Sequence, residues 1–90
     1  NLIRIPIPEL SRERRQELTK VANTMAEEGH ISVRHARHDA IESLKKMQKN
    51  KEISEDMSKR FFEKIEKVTA KYIEEISNLE KNKNIEILQN

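Results

Sequence analysis

Val33-Arg34-His35-Ala36-Arg37-His38-Asp39 sets small apolar residues three apart, at Val33 and Ala36, and interleaves them with Arg34, Arg37 and His38. A helix turns about 100° per residue, so positions three and four apart share a face. A helix therefore satisfies both spacings at once, with an apolar edge and a basic flank beside it. Extended in both directions, the apolar edge becomes the stripe Leu18, Ala22, Met25, Gly29, Val33, Ala36, Ala40, Leu44 and Met47, narrow enough for the core side of a packed helix. Along its flank run His30, Arg34, Arg37, His38, Ile41 and Lys45. Between Gly29 and Lys49, five Lys/Arg stand against Asp39 and Glu42, a local charge of +3 in a chain whose total is only +2. The positive charge is local, and a helix that carries it along one flank suits a polyanion.

The ends of this helix are legible. Ser11 is a side-chain cap for its first turn, with Glu13 placed to favour the positive end of the helix dipole, and the pattern runs to about Gln48. Lys49-Asn50-Lys51-Glu52-Ile53 makes a connection, after which Ser54, followed by Glu55 and Asp56, starts a second helix. Its stripe is Met57, Phe61, Ile65, Val68, Tyr72, Ile76 and Leu79. Glu55/Lys59, Asp56/Arg60 and Glu63/Lys67 place an acid four residues before a base on its outer face, each pair worth roughly 0.2–0.5 kcal/mol. A connection of about five residues favours antiparallel neighbours. The expectation is all-α: two antiparallel helices, each roughly 50 Å long at 1.5 Å per residue. Gly29 costs about 1 kcal/mol relative to Ala inside a helix, so its place on the stripe calls for close approach of a neighbour or a kink.

Ninety residues with 34% hydrophobic and 3% aromatic content form one small domain with little material for a globular core. A 38% charged fraction with helical periodicity reads instead as long helices with solvated faces. The absence of Cys removes disulfides and thiolate chemistry, as suits a reducing compartment. No apolar run approaches the roughly 20 residues of a membrane span, and the start resembles no signal peptide. The chain opens at Asn1 without an initiator Met, which reads as a processed product or an excerpt. Ahead of the first helix, Ile3, Ile5 and Ile7 alternate with Arg4 and Pro6 at the period of a strand, which the prolines confine to a sheet edge or strand end. Pro6-Ile7-Pro8 stiffens the exit toward the helix.

Catalysis finds no foothold: there is no glycine-rich phosphate loop, no H-E-x-x-H and no nucleophile-base pair. His30, His35 and His38 come without Cys and with too few ligands on one helix face to close a metal site. Met25, Met47 and Met57 read as gap-filling core residues, and Phe61 and Tyr72 as buried. Phe62 falls beside the main stripe, where it can cover a second neighbour. A charge run on a helix is usually a solvated face, so a structural helical hairpin or coiled-coil interaction module stays beside the polyanion reading.

Three segments carry a resemblance. Ile3-Arg4-Ile5-Pro6-Ile7-Pro8-Glu9-Leu10-Ser11 with Glu13-Arg14-Arg15, then Val33-Arg34-His35-Ala36-Arg37-His38-Asp39-Ala40, then Lys51-Glu52-Ile53-Ser54-Glu55-Asp56 resemble successive signatures of ribosome recycling factors, in order and at matching spacing. A full-length member has a long N-terminal helix, an inserted β-rich domain and two further long helices that complete a three-helix bundle. This chain is similar to the end of the insert and those last two helices. The resemblance implies that residues 1–10 are the last strand and hinge, with Ile7, Pro8, Glu9 and Leu10 in the hinge, and that residues 11–90 are the two-helix part of the bundle. It also implies a translation factor, not an enzyme, that docks on large-subunit ribosomal RNA and separates post-termination subunits with elongation factor G.

Arg34 and Arg37 match the family's Val-Arg-x-x-Arg motif, where the basic face meets RNA. His38 stands where arginine is usual, which removes a permanent charge. His30 and Lys45 extend the same flank. No cofactor is implied, and the compartment is bacterial cytoplasm or an organelle stroma or matrix. Phe61, Phe62, Ile65, Tyr72, Ile73 and Ile76 span more than one seam, so without the family's third helix these ninety residues are expected to self-associate, most simply as a two-fold dimer of hairpins.

Overall fold

The computed structural model describes residues 11–89, and they form two helices: α1, Arg12–Lys49, and α2, Glu55–Gln89. Both starts follow from their serines. Ser11 Oγ accepts from the Arg14 amide at 3.0 Å, and Ser54 Oγ accepts from the Met57 amide at 3.1 Å, each satisfying an amide that the first turn leaves without a partner. The expected strand over residues 2–7 and the hinge at Ile7, Pro8, Glu9 and Leu10 lie outside the described residues.

The turn between the helices is a Schellman closure. The Glu52 amide donates to Met47 O at 2.9 Å and the Lys51 amide to Gln48 O at 3.0 Å, which requires the residue between helix and loop to be left-handed. That residue is Lys51, with φ of 62°, where glycine would be without strain. Five residues, Asn50 to Ser54, then suffice to return the chain antiparallel.

The two helices lie side by side in a slab of 70 × 26 × 15 Å. Cross-helix contacts fix the register: Arg15 Nη1 to Leu88 O at 3.4 Å, Asn84 Nδ2 to Asn23 Oδ1 at 3.0 Å, His30 Nε2 with Ser77 Oγ at 3.2 Å and Arg37 Nε to Glu66 Oε1 at 2.6 Å. Asn23, His30, Arg37 and Leu44 recur every seven residues, the repeat of two helices that stay in contact along their length. Gly29 marks a close approach: a Cβ there would stand 3.3 Å from Ile76 Cδ1. The helix runs through it without interruption.

The core is thinner than the stripes suggest. Among the described residues only Ala26 and Leu44 are buried, each 7% exposed, and no residue of α2 is. Ala26 lies one position off the stripe read from the sequence, so the line that faces α2 is rotated from it. Met25, Met47, Met57, Phe61 and Tyr72, expected in the core, are exposed. A helix packed against one neighbour hides one line of contacts, and an apolar stripe wider than that line keeps its outer edge in water. The i,i+4 pairs Glu55/Lys59, Asp56/Arg60 and Glu63/Lys67 are not among the ion pairs of the described residues; α2 closes Lys83–Glu86 instead, at 3.4 Å. Long exposed side chains gain too little in water to hold one geometry.

Candidate nucleic-acid interface

The seam between the helices has two unlike edges. On one edge lies an open groove of about 380 Å3 lined by Val33, Ala36, Ala40, Ile65, Val68 and Tyr72, with Arg37 and Lys64 at its margin. A second hollow, lined by Ala22, Met25, Ile76 and Leu79, continues it toward the other end of the hairpin. Met25 and Ala36 are eleven residues apart, as are Val68 and Leu79, and eleven residues bring a helix back to within about 20° of the same direction. The two hollows are one apolar face, on which Met25, Val68, Tyr72 and Leu79 are 66%, 52%, 51% and 68% exposed.

The opposite edge carries the basic flank. Arg34 is two residues from Ala36, about 200° around α1, so it points away from the groove. Arg34 and His38 are exposed, and they share that edge with Lys45. The Lys45 ammonium reaches Glu42 Oε1 at 3.7 Å, an exposed pair that leaves the charge in solvent. Lys45 also borders a hollow with Ile41, Leu44 and Phe62, so Phe62 packs on this side of the seam and not on the groove side. Lys45, Lys46 and Lys49 gather with Glu42 and Ser43 near the end of α1, adding to the positive edge.

The five residues singled out for RNA do not form one cluster. Arg34, His38 and Lys45 are outward. Arg37 and His30 sit one step inward, in the cross-helix lane, where His30 meets Ser77 and Arg37 meets Glu66. Both partners come from α2, and their identity depends on a register that α1 alone does not contain. His35, on the far side of α1, pairs with Asp39 at 3.5 Å. Among the described residues, no group of three His, Cys, Asp or Glu gathers to hold a metal, and no helix is long and apolar enough to cross a membrane. What the arrangement offers chemically is hydrogen-bond donation to anionic oxygen: guanidinium forks at Arg34 and Arg37 and an ammonium at Lys45.

Comparison of the sequence with known proteins identifies a family. The profile described as Ribosome recycling factor matches residues 1–88. The chain belongs to the ribosome recycling factor family. A ribosome-recycling factor of Alkaliphilus metalliredigens (strain QYMF) is 44% identical over 88 residues, covering 98% of this chain and 48% of that protein. Those of Burkholderia cenocepacia (strain HI2424) and Burkholderia pseudomallei (strain 668) are 46% and 47% identical, each covering 98% of this chain and 47% of its own. The chain thus spans about half the length of these recycling factors.

Proposed function

We propose that this chain is the ribosome-docking, two-helix portion of a ribosome recycling factor, a translation factor without catalysis of its own. The observation that carries the reading is the segregation of Arg34, His38 and Lys45 on the edge of α1 turned away from the apolar groove. Such an edge can follow the backbone of folded large-subunit RNA without reading bases. Each phosphate neutralised releases counterions, and RNA helices are recognised largely through backbone and shape. Arg34 is the primary phosphate contact, Lys45 extends the track and His38 adds a donor. His30 supports the flank by holding α2, and Arg37 joins through the guanidinium N–H groups that its bond to Glu66 leaves free. Elongation factor G supplies the GTP chemistry of subunit separation. The compartment is bacterial cytoplasm, or an organelle stroma or matrix.

The test is ribosome binding by the complete protein with Arg34 and Arg37 both reversed to Glu. Loss of binding with helicity retained supports docking through this edge. Unchanged affinity at moderate salt removes these residues from the site and leaves the structural hairpin as the better reading.

The groove supports a second part of the reading: it seats a third helix to complete a three-helix bundle. A chain without that helix pairs groove to groove with a second copy. Residues 1–10 are the end of the inserted domain, with Ile7, Pro8, Glu9 and Leu10 as its hinge. Changing Pro8 to Gly should broaden the interdomain angle, measured between spin labels, and lower recycling more than it lowers the melting temperature.

A further inference from the structure

We propose that Glu66 is an internal counter-ion for Arg37 that sets how strongly this arginine can hold an RNA phosphate; the proposal rests on the docking reading above. Arg37 Nε and Glu66 Oε1 are 2.6 Å apart, the shortest of the ion pairs among the described residues, with the two side chains 37% and 43% exposed. The pair is therefore neither sealed in a core nor lost in solvent, and a phosphate can reach it.

Only Nε is used in this contact. A guanidinium has five N–H donors, so the four on Nη1 and Nη2 remain for a phosphate. The carboxylate thus does two opposing things. It holds the guanidinium plane in one orientation, and it places a negative charge within a few ångströms of any phosphate that arrives. At that range the repulsion in a solvent-like dielectric amounts to a several-fold loss of affinity. Among the described residues, Arg34 on the same helix has no such opponent in contact with it. Arg37 is thus the weaker of the two arginines as the hairpin stands, and the residue that makes it so is on the other helix.

The two effects separate in Glu66→Gln. The amide oxygen still accepts from Nε–H, so orientation is retained while the charge is gone. Binding of the complete protein to purified large ribosomal subunits is measured across a salt series for Glu66→Gln, Arg37→Ala, the double variant and Arg34→Glu, with thermal melts to confirm folding. We expect Glu66→Gln to bind about three- to tenfold tighter than the parent. Its slope of log affinity against log salt should steepen by up to about 0.9, the value of one further phosphate contact. In the Arg37→Ala background Glu66→Gln should add nothing beyond a change common to any removed surface acid.

Equal or weaker binding of Glu66→Gln overturns the proposal. So does the same tightening with Arg37 absent, which would assign the effect to the general field of the surface. If Arg34→Glu weakens binding while Glu66→Gln leaves it unmoved, the proposal alone fails. Should Arg34→Glu leave binding unchanged, the docking reading falls and the proposal with it.

Discussion

Along one edge of the interhelix seam, Met25, Val68, Tyr72 and Leu79 stand in water with Ala36 between them. Along the other, Asn23 meets Asn84 and His30 meets Ser77, and beyond them Arg34, His38 and Lys45 point into solvent. The polar edge pairs its groups across the seam, Asn84 Nδ2 with Asn23 Oδ1 and His30 with Ser77, although Asn84 Oδ1 is left without a partner, and the charges held outside these contacts stay hydrated. The apolar edge is incomplete, because each Å2 of apolar surface left in water forgoes about 25 cal/mol. On the proposed reading, assembly would use the apolar edge and docking the polar one, so substitutions confined to one edge should leave the other function intact; Arg37, which also lines the groove, belongs to both.

The largest effect should come from the groove. For these ninety residues, light scattering should report a dimer or larger species. Val68→Asp with Tyr72→Asp should shift it to a poorly helical monomer, since two carboxylates cannot be buried unpaired. A helix peptide able to fill the groove should compete with the second copy. A sharply melting monomer at high micromolar concentration would break the comparison, by showing that the groove needs no cover.

Next in size is the basic edge. Arg34→Glu with Arg37→Glu should weaken ribosome binding at least tenfold at moderate salt and flatten its salt dependence, because two phosphate contacts are lost. Arg34→Glu alone should leave self-association through the groove unchanged, whereas Arg37 lines that groove and pairs with Glu66 of α2. A change in oligomeric state would mean that the two edges are coupled.

Smaller effects test the frame that both edges share. Lys51→Gly should raise stability by about 1 kcal/mol in denaturant titration, since a side chain in the left-handed region costs roughly 1–2 kcal/mol. Both edges should respond only through that gain. Gly29→Ala should be the smallest, under about 1 kcal/mol and stabilising. Helix propensity favours Ala by about that much, and the one tight contact of the new Cβ is the terminal methyl of a half-buried Ile76 at 3.3 Å, which can turn aside, while Ile76 Cγ2 and Cγ1 at 3.6 and 3.8 Å are ordinary contacts. A clear loss of stability would show that Ile76 cannot move and that the helices are locked at that point.

Several of these features are readable along the chain because they arise within a few residues. Ser11 and Ser54 cap amides three positions ahead, and the loop after Lys49 closes through bonds no more than five residues long. The location of the cations on one flank is likewise a matter of 100° per residue. The angle puts Arg37 and His30 beside that flank, and in the structure both turn inward toward α2. Nothing within α1 announces Glu66 or Ser77, which lie 29 and 47 residues away. The core differs from the stripe for the same reason: a stripe shows which residues are apolar, while the single line that is covered depends on where the neighbour rests. Ala26, smaller and off the stripe, is buried where Met25 is not.

Periodicity, capping residues and turn length thus determined two antiparallel helices and the side of α1 that carries positive charge, because backbone hydrogen bonding and helix geometry act over four residues or fewer. Tertiary structure decided the register of α1 on α2, the pairing of Arg37 with Glu66, the approach at Gly29 and the division of the apolar stripe into a covered line and an open groove. Those depend on side chains far apart in sequence meeting across one seam, and a local pattern holds no information about the angle at which a second helix will lie.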